Sequence, residues 1–143
     1  MKKIIIILLL TMYTISGAYS QSIFGNWKTL DDETGKVESI IKIYKEDGKA
    51  YAKIIEIRNE TSKNNVCDKC KRKNKDKPIL GMVILDGLTQ DDDKWSDGEI
   101  LDPKNGKYYK CYIELVSVEK LKIRGYIGFS LLGRTAYWYR AED

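Results

Sequence analysis

Cys67-Asp68-Lys69-Cys70 is the segment whose residue types and spacing come closest to carrying chemistry. Two cysteines set three apart can form a disulfide, cycle as a redox pair, or supply half of a four-ligand zinc site. The flanking Lys69, Lys71, Arg72 and Lys73 would lower a thiol pKa, which favours redox use. No helix is evident to stabilise a thiolate, however. A zinc site lacks partners, because Cys111 is the third and last cysteine and the chain has no histidine. A structural bridge therefore ranks first. Cys67–Cys70 is the preferred pair because the two are close in sequence. Pairing of Cys111 with one of them is the alternative, and either way one thiol stays unpaired.

The lack of histidine reaches further. It excludes Ser-His and Cys-His nucleophile arrangements and the usual catalytic zinc sites. The acidic run Asp91-Asp92-Asp93 does not fit a calcium loop, because Trp95 and Ser96 stand where a ligand and the obligatory glycine belong. Gly128-Phe129-Ser130-Leu131-Leu132 lacks the second glycine of a nucleophile elbow. No catalytic residue, metal ligand or cofactor is assigned, and the expectation is a protein that is not an enzyme.

The elements that would position these residues begin after an export signal. Met1-Lys2-Lys3 is basic, Ile4 to Leu10 are apolar throughout, and Ala18-Tyr19-Ser20 offers small residues for cleavage before Gln21. Residues 1–20 therefore read as a removed signal peptide and 21–143 as one domain, periplasmic or secreted. That compartment is oxidising, which again favours a structural disulfide. Without Lys2 and Lys3, the 25 basic residues exceed the 21 acidic ones by only two. So even a balance gives no support for nucleic-acid binding, and no second apolar span predicts a transmembrane segment.

Strand signals dominate the rest. Leu121 and Ile123 alternate with Lys120, Lys122 and Arg124, while Tyr109, Cys111, Ile113 and Leu115 form one face of the preceding segment. Asp47-Gly48, Pro103-Lys104-Asn105-Gly106, Ser117–Glu119 and Ser130–Gly133 read as turns. About eight strands result, at 24–30, 37–45, 50–58, 79–85, 98–102, 107–116, 120–128 and 134–140. An antiparallel up-and-down meander of that many strands can close into an all-β barrel and so remove its edges. Asn59 to Lys77, basic and cysteine-bearing, and Gln90 to Gly98, acidic and centred on Trp95, read as long loops.

Gly25-Asn26-Trp27 on the first strand and Arg140 on the last resemble the signature of the lipocalin and fatty-acid-binding-protein superfamily. There the tryptophan plugs the closed end and the arginine lies across its ring; Arg134 is a competitor for that role here. A closer resemblance covers most of the mature chain. It is to the small secreted bacterial proteins of domain-of-unknown-function family 2147. It rests on Gly25-Asn26-Trp27-Lys28-Thr29, Cys67-Asp68-Lys69-Cys70, Lys77-Pro78-Ile79-Leu80-Gly81, Trp95 and Gly98. Ile100-Leu101-Asp102-Pro103, Asn105-Gly106-Lys107-Tyr108-Tyr109, Leu121 to Tyr126, Arg134 and Trp138 complete it. The resemblance implies a lipocalin-like barrel and transfers no catalytic residue.

An eight-stranded barrel is just wide enough to be packed solid or to hold one small ligand. Tyr109, Cys111, Tyr126 and Tyr137 are the candidate lining. The expectation is a monomer that binds a small hydrophobic or lipid-like ligand. The rival is an envelope interaction protein that uses its outer surface and the basic loop, in which Lys63 to Lys77 would face anionic head groups from beside the barrel mouth.

Overall fold

The structure, a computed structural model, describes residues 21–142. The signal-peptide reading of residues 1–20 lies outside the described residues. The strands are β1 (Gly25–Leu30), β2 (Val37–Glu46), β3 (Lys49–Ile57), β4 (Val83–Asp91), β5 (Lys94–Asp102), β6 (Lys107–Ser117), β7 (Lys120–Tyr126) and β8 (Gly133–Arg140). Each pairs antiparallel with the next, and β8 returns to β1, so the sheet is a closed up-and-down barrel.

Local chemistry explains the meander. Asp47 and Gly48 both take positive φ (50° and 77°), the left-handed pair that a tight hairpin between β2 and β3 requires. Along β6, Cys111 and Ile113 are buried between more exposed Lys110, Tyr112 and Glu114, which is the period of a half-buried strand. The closing seam is short: only Trp27 with Arg140 and Lys28 with Tyr139 stand opposite each other. Alternate inward residues fill the end that holds the β2–β3, β4–β5 and β6–β7 turns. Trp27, Ile43, Ala50, Leu88, Ile113 and Leu121 are fully buried there.

Two expected loops differ. Gln90 to Gly98 is not a loop: β4 runs on to Asp91, β5 starts at Lys94, and only Asp92 and Asp93 turn. The acids that suggested a solvated loop are the hairpin tip, and Trp95 points into the core. The irregularity that hid the strands is a pair of kinks, at Gly87 (φ 71°) and Asp97 (φ 62°), which break the alternation of both strands. The expected strand 79–85 is displaced to Val83–Asp91, because residues 79–82 turn, with the Met82 N–H donating to the Ile79 carbonyl and the Gly81 N–H to the Ile54 carbonyl.

The long connection between β3 and β4 is real, but it is docked. Its 3-10 turn, Arg72–Asn74, lies on the outer wall of β4–β6. Arg72 meets Glu99 at 3.1 Å and covers the Tyr108 ring, Lys73 meets Asp86 at 3.4 Å, and Asn74 donates to the Tyr108 hydroxyl. Part of the basic charge expected to project toward solvent is thus paired against the barrel.

Candidate functional site

At the filled end, the chain before β1 folds under the barrel. The Trp27 indole N–H donates to the Ile23 carbonyl at 2.8 Å, and Phe24 meets Trp95 edge-on at 5.5 Å. The Arg140 guanidinium lies 3.9 Å above the Trp27 ring centroid. Its fork donates to the carbonyls of Ser22, Phe24 and Val118 at 2.7, 2.9 and 3.1 Å. Arg140 therefore holds the N-terminal segment, the β6–β7 turn and the short seam together. Arg134, the competitor, is instead paired with Asp32 at the opposite end.

That opposite end is open. A cavity of about 830 Å³ enters between the β1–β2, β3–β4, β5–β6 and β7–β8 connections. Its deep wall is hydrocarbon: Ile41, Ile54, Ile84, Ile100, Ile123 and Trp138. Its rim is polar, and two of its cations are ion-paired. Lys104 pairs with Glu38 at 2.9 Å, and Arg134 pairs with Asp32. The carboxylate hydrogen-bonded to Lys104 raises the lysine pKa. The Asn105 amide donates to the Tyr109 hydroxyl at 3.0 Å, and Asp68 and Lys69 complete the rim. Among the described residues every buried side-chain nitrogen or oxygen has a partner. The wall therefore presents no orphaned polar group that would need one from a ligand.

The four expected lining residues divide. Tyr109 and Tyr126 line the cavity. Tyr137 does not: it faces outward, with Lys120 at 4.3 Å over its ring, and its neighbours Ala136 and Trp138 face the cavity instead. Cys111 is inward but belongs to the packed core, one pleat further from the mouth than Tyr109. Burial, and secondarily Glu99, push its thiol up to about 12. The isoleucines of the wall were not singled out from the sequence, because a face is assigned only once the register is known.

Cys67 and Cys70 are bonded to each other, and Cys111 is the free thiol. The disulfide loop seats on the β5–β6 turn, with Cys67 Sγ 3.4 Å from the Pro103 carbonyl oxygen. Among the described residues no three cysteine or acidic side chains converge on a common point suited to a metal. What the bridge does is hold the loop that carries Val66, Asp68 and Lys69 to the cavity rim.

A first prediction concerns Cys111. Below pH 9, its ordinary value, the thiol is protonated in both folded and unfolded chains. Between pH 9 and about 12 only the unfolded chain releases the proton, so stability falls as pH rises through that window. Native protein at pH 8 should leave Cys111 unmodified by a disulfide-exchange thiol reagent, with one equivalent reacting on unfolding. Cys111→Ala should lessen the alkaline loss of stability. Rapid labelling of the folded protein would contradict the burial.

A closed, eight-stranded up-and-down barrel with one plugged and one open end is a lipocalin-like architecture. A solved structure of this kind, described as "Protein HP1028 from the human pathogen Helicobacter pylori belongs to the lipocalin family", superposes with a TM-score of 0.74. The two chains are 21% identical over 87% of this chain and 86% of that one, which is a likeness of fold. No curated protein sequence matches the chain. The chain belongs to the family described as "Uncharacterized protein conserved in bacteria (DUF2147)", whose model matches residues 25–140.

Proposed function

We propose that the protein is an exported binder of an elongated amphipathic molecule, and that it works without catalysis. The carrying observation is the cavity: about 830 Å³, with a hydrocarbon wall and a polar rim on which Lys104 and Arg134 are ion-paired with Glu38 and Asp32. Small-molecule sites are typically concave, about 300–1,000 Å³, and mostly apolar with a few polar groups. An apolar tail would lie against the isoleucines and Trp138, and the polar end would meet the rim. The paired charges there favour a head group without strong net charge over a simple anion. Export is supported by the signal pattern of residues 1–20 and by the Cys67–Cys70 bridge, which suits an oxidising compartment.

The test is displacement of a labelled zwitterionic lysophospholipid, with a fluorescent long-chain fatty acid as the anionic comparison expected to bind more weakly, from the chain beginning at Gln21. Ala136 faces the cavity from β8, so Ala136→Trp should fill part of the void and weaken binding at least about tenfold, roughly the effect of one or two kcal/mol of lost contact. Unaltered thermal unfolding would show that the barrel is intact. Absence of binding to both probes, or equal binding by the variant, would count against the cavity as the ligand site.

A further inference from the structure

The connection between β7 and β8, Ile127-Gly128-Phe129-Ser130-Leu131-Leu132, is apolar and stands at the open end. Phe129 and Ile127 are 67% exposed, Leu132 64% and Leu131 87%. These side chains have not simply failed to pack, because the backbone beneath them is built. Ile127 N–H donates to the Leu132 carbonyl and Leu132 N–H to the Phe129 carbonyl. The Arg124 guanidinium donates twice to the Ser130 carbonyl, at 3.0 and 2.8 Å, and once to the Thr135 hydroxyl. A shaped loop thus presents four large apolar side chains to solvent within six residues. Isolated exposed apolar residues are ordinary, whereas a contiguous group marks a contact surface.

The chemistry beside the loop selects the partner. Ile127 also borders a second cleft, about 270 Å³, whose other walls include Lys71, Arg72, Lys107 and Tyr108. Arg72 is paired with Glu99, but among the described residues no carboxylate lies within ion-pair distance of Lys71 or Lys107. An apolar tip flanked by lysines that make no ion pair, although Asp102 stands opposite Lys107 across the β5–β6 ladder, is the combination that binds an anionic lipid interface: the apolar side chains enter the acyl boundary and the ammonium groups meet phosphates. A protein partner would be expected to pair the tip with an apolar groove and would not need the cations.

We propose that the β7–β8 loop docks the protein on the surface of an anionic lipid bilayer, mouth first. Phe129, Leu131 and Leu132 insert, and Lys71 and Lys107 contact head groups. Because Ile127 and Leu132 also line the main cavity, a docked barrel would open directly onto the lipid, so an amphipathic molecule could pass without crossing water. The docking itself stands whether or not the cavity carries a ligand.

Flotation of the chain beginning at Gln21 with vesicles tests this, using phosphatidylcholine alone and phosphatidylcholine mixed with phosphatidylglycerol. The protein should float with the mixed vesicles. The triple variant Phe129→Ser, Leu131→Ser, Leu132→Ser should bind at least about tenfold more weakly, and its melting temperature should not fall, since the side chains are exposed. Lys71→Gln with Lys107→Gln should weaken binding about fivefold for each charge, only on the anionic vesicles. As an independent readout, Phe129→Trp should show a blue shift on adding anionic vesicles larger than that of the parent, whose Trp27, Trp95 and cavity-lining Trp138 supply the background to be subtracted. Three results would overturn the proposal. They are no flotation, flotation of the triple variant equal to the parent, or a self-associated parent that the triple variant dissociates.

Discussion

Trp27→Ala should remove about 3–5 kcal/mol of unfolding free energy, the cost of emptying a fully buried aromatic site. A domain of this size has about 5–15 kcal/mol in total, so the variant should be close to unfolding at ambient temperature. Arg140→Ala should cost roughly 2–4 kcal/mol. It removes the cation–π contact and leaves three carbonyls without their charged donor. Arg140→Lys should not restore the loss, because one ammonium cannot span three carbonyls that a planar fork reaches together. In a double-mutant cycle measured by urea unfolding, the two losses should sum to less than their separate values by about 1 kcal/mol or more. The seam explains the size of the effect. The β1–β8 register spans just two residue pairs, Trp27 with Arg140 and Lys28 with Tyr139, extended by the Ala141 N–H donating to the Asn26 carbonyl, so closure depends heavily on this corner. Additive losses, or an Arg140→Ala variant with the parent's urea midpoint, would show that the barrel closes by other means.

Trp27 and Arg140 were legible in the sequence through the resemblance of Gly25-Asn26-Trp27 and a closing-strand arginine to the lipocalin and fatty-acid-binding-protein signature, and the chemistry of a planar cation over an indole gave that resemblance a physical reason, although it left Arg134 as a competitor. The cavity lining was not, and β8 shows why. Arg140 faces inward over Trp27, and side chains on a regular strand alternate with a period of two. Trp138 and Ala136 must then face inward and Tyr137 outward. Choosing Tyr137 as lining was inconsistent with choosing Arg140 as the plug, and the strand's own period contained the correction. On β6 the same rule held, so Tyr109 and Cys111 share a face. Period alone does not say how deep the void reaches, however, and Cys111 falls within the packed layer. For β4 and β5 no rule of alternation would have sufficed, because the kinks at Gly87 and Asp97 shift the faces midway. The apolar β7–β8 connection was visible as residues but read as a short turn, since nothing in the sequence announces that a hydrophobic run is held outward by the Arg124 fork.

Gly106→Ala should destabilise the protein by about 3 kcal/mol, combining left-handed strain with a forced displacement of backbone. Gly106 turns between β5 and β6 with φ 72°. A Cβ there would stand 2.0 Å from the Lys69 carbonyl oxygen, 2.3 Å from its carbon and 2.7 Å from the Cys70 nitrogen. These are main-chain atoms of the disulfide loop, so no rotamer change can relieve the overlap. Gly35 supplies the control. Its φ is 70°, nearly the same, and a Cβ there meets nothing within 4 Å. Gly35→Ala should therefore cost only the strain, about 1 kcal/mol. The difference of about 2 kcal/mol between the two variants measures how firmly the Cys67–Cys70 loop is seated on the turn. Equal losses in urea unfolding would mean that the loop does not sit there in solution. Because Val66, Asp68 and Lys69 reach the cavity rim from that loop, unseating it should also loosen the mouth. Gly106→Ala should then release the labelled lysophospholipid faster than the parent, while Gly35→Ala should not. The bridge and the glycine thus have one joint consequence: they fix a loop, and the loop forms part of the entrance.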